Sequence, residues 1–154
     1  MVKIKIVATG SEKDKNLVAV ISEFEKRLSR WAKINIVYVQ EFAPANANMI
    51  ETSKERESVA QLKHFEGFNI VLDSQGIMLS SEEFADKMAT IMQNNSTITF
   101  IIGGSCGLSD KVKKQADLLM SFGKITFPHE LMRLVLIEQI YRAFTINNNL
   151  PYHK

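Results

Sequence analysis

The side chains best suited to chemistry lie near the C-terminus of this 154-residue chain. His129 follows Pro128 directly, and the chain ends in Tyr152-His153-Lys154. An imidazole can take or give a proton near neutral pH. An aromatic ring can stack on a base, and an ammonium group can contact a phosphate. Chain ends usually carry no function, so from the pattern alone a functional tail and a non-functional tail are equally good interpretations. A lone histidine at the start of a helix is more often structural than catalytic.

Other candidate groups are better explained by structure. Glu138 and Arg142 stand four positions apart, the spacing of an ion pair on one helix face. Cys106 could act as a nucleophile, but no motif supports that role, and a small buried residue is the simpler interpretation. The three histidines, His64, His129 and His153, lack the spacing of metal ligands, so the sequence predicts no metal centre.

A glycine-rich segment, Gly103-Gly104-Ser105-Cys106-Gly107, follows a buried apolar run and precedes a helix start. Glycines in this position let the backbone approach a ligand closely. The segment departs from the dinucleotide fingerprint G-x-G-x-x-G, and no Gly-Lys-Ser/Thr follows to make a phosphate loop. A tight turn without a ligand explains the pattern equally well.

Strand and helix patterns alternate along the whole chain. Apolar alternation or short apolar runs predict strands, and apolar residues at helical spacing predict helices. The capping pair Ser80 and Glu83 indicates the start of one helix. These patterns predict an α/β fold, a single domain over residues 1–154 with a mostly parallel sheet. The predicted strands are 2–8, 34–39, 68–72, 97–102 and 118–120, and the predicted helices are 17–31, 50–65, 80–92, a short one from 109, and 129–146.

Three loops leave the carboxyl ends of predicted strands, at 73–79, 103–108 and 121–128. Open α/β sheets bind their ligands at that edge. We therefore expect the three loops to share one site. The residues do not by themselves indicate its chemistry.

The last predicted helix, 129–146, is apolar on nearly all sides. An ordinary surface helix has a single apolar stripe. We therefore expect this helix to be buried between its own sheet and something else, such as a second copy of the chain.

The overall composition excludes several classes of protein. Hydrophobic residues make up 45% and charged residues 23%, which is typical of a globular domain. The net charge of +2 does not indicate a strong general affinity for nucleic acid, although a local basic patch is compatible with that net charge. The single cysteine fits a reducing compartment, and no apolar run has the length of a signal peptide or membrane span. These features predict a soluble, cytoplasmic protein.

Read together, the motifs resemble the RlmH family of SPOUT methyltransferases, which methylate N3 of a pseudouridine in 23S ribosomal RNA. The resemblance covers essentially the whole chain, and the C-terminal third is its most specific part. The segments that carry it are Leu72-Asp73-x-x-Gly76, Leu79-Ser80-Ser81-Glu82, 100–108, Thr126-Phe127-Pro128-His129-x-Leu131-x-Arg133, Glu138-Gln139-x-Tyr141-Arg142-Ala143 and Pro151-Tyr152-His153-Lys154.

The resemblance implies a homodimer with a trefoil knot in the C-terminal half, which binds S-adenosylmethionine in the knotted loops. No membrane or metal partner is implied, and the substrate would be 23S rRNA within the assembled ribosome. By position, the cofactor site would comprise Leu72, Gly103, Gly104, Phe122, Gly123, Lys124, Ile125, Thr126 and Phe127.

The resemblance also implies a set of catalytic groups. His129 or His153 would handle the proton on N3, while Arg142 and Tyr152 would position the base or a phosphate. Lys124 and Arg133 would meet the RNA backbone or support the knot. The tail would complete a site with the partner subunit.

Two other classes of protein stay open at this point. One is a non-enzymatic α/β module that binds a nucleotide or associates with the ribosome. The other is an enzyme that uses a dinucleotide.

Overall fold

A single parallel sheet organises the chain. The computed structural model describes all 154 residues, Met1–Lys154. Its five strands pair in the order β2-β1-β4-β3-β5, and every pairing is parallel. The prediction of an α/β fold with a parallel sheet is confirmed. The strands are β1 (Val2–Thr9), β2 (Ala32–Val39), β3 (Phe68–Met78), β4 (Thr97–Ile102) and β5 (Leu118–Ser121).

Five α-helices connect or follow the strands. Asp14 caps the first helix, where its side chain accepts hydrogen bonds from the amides of Asn16 and Leu17. Ser80 and Glu83 form the predicted capping box at the third. The helices are α1 (Lys15–Leu28), α2 (Ile50–Lys63), α3 (Ser81–Asn94), α4 (Asp110–Gln115) and α5 (His129–Asn147), with a short 3-10 helix at Ala47–Met49.

Side chains alternate across the strands, so each face of the sheet has its own apolar core. The larger core joins strand residues such as Ile6 and Phe100 to α1, α3 and α5. The smaller core joins Val7 and Ile101 to Val112 of α4, with partly buried residues of α2 packed against it. The result is a three-layer arrangement with helices on both faces of the sheet.

Strand β3 is longer than its apolar run predicts. The run ends at Leu72, and we expect residues 73–79 to form an exit loop. Instead, the strand continues to Met78. The register on β5 shifts between Leu72 and Ile77, both of which pair with Met120. A bulge of this kind bends a strand without ending it, and polar residues inside the bulge carry no apolar signal.

The buried face of α2 is polar, although Val59, Leu62 and Phe65 give the predicted helix a weak apolar stripe. Ser53, Glu57, Ser58 and Gln61 are buried, whereas Val59 is 58% exposed. Gln61 donates to the hydroxyl of Thr9 at 2.8 Å. This face of α2 packs on the sheet through hydrogen bonds and not through apolar burial. The spacing of apolar residues therefore could not predict which face is buried.

Helix α5 is enclosed largely by its own chain. It packs against α1 on one side and α3 on the other, over the sheet. These two helices therefore account for most of the apolar surface for which the sequence suggests a second copy. A partly exposed strip remains along the helix, at Leu131, Leu134, Val135, Glu138 and Arg142. None of the helices combines the length and apolar character needed to cross a membrane.

Candidate functional site

A cleft of about 250 Å³ opens at the carboxyl ends of β3, β4 and β5. The three predicted strand-end segments meet there, as expected. The cleft also includes every residue that the resemblance assigns to the cofactor. Its lining is Leu72, Asp73, Ser74, Ile102, Gly103, Gly104, Gly107, Leu108, Met120, Ser121, Phe122, Gly123, Lys124, Ile125, Thr126, Phe127, His129 and Met132.

The segment after β5 forms one wall of the cleft. A tight turn begins it: Ser121 Oγ donates to the carbonyl of Gly123 at 3.0 Å and lies 3.1 Å from that residue's amide nitrogen. Gly123 has φ +118°, a conformation that other residues rarely adopt. Beyond the turn, Ile125 is 75% exposed although it is large and apolar. An apolar side chain exposed at the rim of a cleft suits contact with a ligand.

The glycine-rich segment forms another wall. Gly107, at φ +81°, donates its amide to the carbonyl of Gly104 at 3.0 Å, which closes a tight turn. The side chain of Glu41 lies against this turn. Its Oε1 accepts hydrogen bonds from the amide and the hydroxyl of Ser105, both at 2.9 Å.

Glu41 also faces His129, the predicted catalytic residue that lines the cleft. Glu41 Oε2 lies 3.8 Å from His129 Nε2. Burial alone would raise the pKa of the Glu41 carboxyl, but the hydrogen bonds from Ser105 and the nearby positive charges hold that pKa below its ordinary value. The carboxylate therefore remains ionised. Sequence reasoning missed Glu41, although an acidic residue just beyond the end of a parallel strand is a usable signal.

The other predicted catalytic residues form a separate cluster. Arg142 donates to Glu138 Oε1 through Nη2 at 2.6 Å and through Nε at 3.1 Å, so the predicted ion pair is present. The Tyr152 hydroxyl donates to the same oxygen at 3.1 Å. His153 Nδ1 lies 3.1 Å from Arg142 Nη1, and its Nε2 lies 2.7 Å from Glu82 Oε1. We call these five residues the tail cluster.

Charged and hydrogen-bonded groups fix the positions of the side chains in the tail cluster. Burial and the hydrogen bond to Glu138 raise the pKa of Tyr152 above its ordinary value, so its hydroxyl stays protonated and donates. The hydrogen bond with His153 lowers the pKa of Glu82. Tyr152 also meets the ring of Tyr141 edge-on, with the centroids 4.8 Å apart. The chain end is therefore held by specific contacts.

The structure does not bring His129 and the tail cluster together within one chain. His129 begins α5 and Arg142 lies thirteen residues further along the same helix. At 1.5 Å per residue this separates them by about 20 Å along the helix axis. The two halves of the predicted catalytic set therefore cannot act on one substrate atom in one protomer.

Two expectations about single residues need correction. Of the two roles expected for Arg133, contact with the RNA backbone is not open to it, because it is 2% exposed and donates to the carbonyls of Thr9 and Gly10; a supporting role stays a prediction. Cys106 is only partly buried. Lys124, in contrast, is exposed at the cleft. No group of three or more His, Cys, Asp or Glu side chains could hold a metal ion.

Comparisons with known proteins identify the family of the chain. The model of the family described as "Predicted SPOUT methyltransferase" matches residues 2–153. The chain is similar to the "Ribosomal RNA large subunit methyltransferase H" of Caldicellulosiruptor bescii, with 47% identity over 98% of this chain and 99% of the relative. It is also similar to the protein of that name from Clostridium botulinum strain 657, with 46% identity over 98% and 99%.

A solved structure supports the fold alone. The chain matches a probable methylase family protein from Haemophilus influenzae with a TM-score of 0.51 and 8% identity, over 96% of this chain and 66% of that one. The sequence matches carry the assignment further, because they span nearly the full length of the chain. On that evidence, the chain belongs to the SPOUT methyltransferase family.

Proposed function

We propose that this protein is an S-adenosylmethionine-dependent methyltransferase that modifies 23S ribosomal RNA at N3 of a pseudouridine. One observation carries the proposal: a single cleft at the strand ends gathers all the residues that the family resemblance assigns to the cofactor. The relatives named as large-subunit ribosomal RNA methyltransferases support the substrate class. The enzyme would act in the cytoplasm, where the ribosomes are.

The cleft fits S-adenosylmethionine by its chemistry. Gly103 and Gly104 carry no side chain into the site, so backbone groups are open to the adenine, ribose and carboxylate. Leu72, Ile102 and Ile125 offer apolar contacts to the adenine. When bound, the cofactor supplies a methyl group already activated on its sulfonium sulfur.

The protein's own task is to align the base and to manage one proton. N3 must lose its proton to become a nucleophile, and a neutral imidazole can accept that proton. His129 lines the cleft, which supports this role for it. Holding the base at the right distance and angle supplies the remaining acceleration. The trefoil knot implied by the resemblance stays a prediction.

We further propose that the enzyme acts as a homodimer in which each tail completes the partner's cleft. Within one chain, the tail cluster lies about 20 Å along α5 from His129, too far for both to meet one base. A second copy, seated on the partly exposed strip of α5, would bring its Arg142, Tyr152 and His153 to the cleft. The tail cluster is held by hydrogen bonds, which suits a surface presented to a partner.

The function is tested by mass mapping of 23S rRNA from cells with and without this protein. Loss of one pseudouridine methyl group in the deletion strain is expected, and its return with the gene restored. An unchanged methylation pattern in the deletion strain would contradict the proposal.

Calorimetry separates the alternative functions. The proposal requires binding of S-adenosylmethionine, whereas a dinucleotide enzyme requires binding of NAD and no affinity for the methyl donor. A non-enzymatic module would bind a nucleotide or the ribosome but leave the rRNA methylation unchanged on deletion.

The shared site is tested by complementation in mixed dimers. A Gly104→Arg variant blocks its own cleft, and a His153→Ala variant lacks a tail imidazole. Gly104→Arg alone should be inactive, and His153→Ala should keep at most about a tenth of the wild-type activity. Refolding the two together should restore up to about a quarter of that activity, because about half of the dimers are then mixed and each of these has one site with an intact cleft and an intact tail. A mixture as inactive as its parents would contradict the shared site.

A further inference from the structure

We propose that Glu41 is a positioning residue for the methyl transfer, because its carboxylate joins the glycine-rich turn to His129 at the edge of the cleft. The inference rests on the proposed function and concerns the proton step within it. Glu41 does not line the cleft, so it acts through its neighbours.

The two carboxylate oxygens have different partners. Oε1 accepts both hydrogen bonds from Ser105, one from the amide and one from the hydroxyl. Oε2 is left facing His129 Nε2, at 3.8 Å. That separation lies within ion-pair range and is slightly longer than a hydrogen bond. One side chain therefore couples a wall of the cleft to the imidazole.

The surrounding glycines leave room for this carboxylate and for nothing larger. A Cβ at Gly104 would lie 2.8 Å from Glu41 Oε1, and one at Gly10 would lie 3.0 Å from Oε2. Side chains at these positions would displace the carboxylate. The sequence keeps glycine on both sides of it, after β1 and after β4.

The local charges leave His129 as the partner of Oε2. Arg133 also lies near Glu41, but its guanidinium donates to Thr9 and Gly10 and pairs with Glu12. Glu57 lies on the other side and adds only repulsion between the two acids. A fixed carboxylate beside a neutral imidazole favours the tautomer with its hydrogen on Nε2.

This tautomer has a direct consequence for the reaction. With Nε2 protonated, Nδ1 is the free base of the ring. The N3–H bond of the pseudouridine would break, its proton would pass to His129 Nδ1, and N3 would keep the electron pair. That pair would form the bond to the methyl carbon as the bond from this carbon to the sulfonium sulfur breaks, with sulfur keeping the electrons of the broken bond. The resulting imidazolium is stabilised by the ionised Glu41 beside it. Glu41 therefore acts on the tautomer and on the charge of the base.

A Glu41→Gln variant tests the inference. The amide oxygen can still accept from Ser105, so the affinity for S-adenosylmethionine should stay within about twofold of wild type. The charge at His129 is lost, so kcat should fall about tenfold or more. A fall in kcat at unchanged cofactor affinity is the signature of a positioning role in the chemical step.

Two further variants separate positioning from structural support. Ser105→Ala removes one of the two hydrogen bonds to Oε1 and leaves the Glu41 charge beside His129, so kcat should fall less than in Glu41→Gln. Glu51→Gln, on an exposed acid paired with Lys54, serves as the matched control and should match wild type throughout.

The outcomes distinguish this inference from the proposed function. A Glu41→Gln enzyme with unchanged kcat would overturn the inference while leaving the function standing. The same holds if the variant loses only stability or cofactor affinity. If the wild-type protein neither binds S-adenosylmethionine nor methylates rRNA, the proposed function itself fails.

Discussion

Arg133 Nη2 donates to the carbonyl oxygen of Gly10 at 2.6 Å, although the two residues are 123 positions apart in the chain. The same nitrogen donates to Thr9 at 2.9 Å, and Nη1 pairs with Glu12 at 3.4 Å. The side chains of Arg133 and Glu12 are each 2% exposed. One guanidinium therefore ties the first turn of α5 to the carbonyls at the end of β1, beside Glu41.

Replacing Arg133 by Met should destabilise the protein by about 3–5 kcal/mol, because Glu12 and two carbonyls would lose their buried partner. Urea unfolding measures this loss. Lys111→Met, at an exposed position, should change stability by less than about 0.5 kcal/mol. A small effect at Arg133 would mean that water replaces the guanidinium.

Glu57 should make stability fall as pH rises. Burial raises the pKa of its carboxyl from 4.5 to about 7, against the hydrogen bond from the Phe42 backbone. Between these two pH values the folded state holds a proton that the unfolded state has released, so this group favours folding less as pH increases. The destabilisation of the folded state by the ionised Glu57 carboxylate is complete above about pH 7.

A Glu57→Gln variant should therefore gain stability relative to wild type between pH 5 and pH 8. Urea unfolding of both proteins at the two pH values measures the difference and cancels the other titrating groups. A constant difference between the two proteins would show that Glu57 titrates alike in both states.

Ile125→Ser should weaken the binding of S-adenosylmethionine. The side chain is 75% exposed at the rim of the cleft, and covering an apolar side chain of this size contributes about 1.5–3 kcal/mol, or roughly tenfold or more in Kd. Calorimetry measures the change. Val59→Ser, 58% exposed on α2, is the matched control and should bind as wild type does. Equal affinities for Ile125→Ser and the control would exclude contact at this wall.

His153→Ala should lower kcat by about tenfold or more while leaving S-adenosylmethionine affinity within about twofold, because the role proposed for the tail is to contact the base and not the cofactor. His129→Ala should lower kcat as well. His64→Ala provides a histidine outside both sites. Methyl transfer to ribosomal RNA and calorimetry measure the two quantities separately. A full-rate His153→Ala enzyme would remove the tail from the chemistry.

The sequence by itself determined the order and type of the main elements. Apolar runs such as Thr97–Ile102 and the capping pair Ser80–Glu83 are local signals, and the structure confirms both. The glycine-rich segment and the segment before Pro128 could be placed at strand ends for the same reason. Parallel strands put their carboxyl ends on one edge, so convergence of these loops followed from the pattern.

Only the tertiary structure decided which side chains meet across the chain. The contact between Glu41 and His129 joins the end of β2 to the start of α5, and neither local sequence encodes it. The polar face of α2 and the bulge in β3 could not be predicted from the sequence, because features held by hydrogen bonds produce no regular spacing of apolar residues. The separation of His129 from Arg142, in contrast, already follows from the predicted helix 129–146, since a straight helix keeps residues thirteen positions apart at about 20 Å.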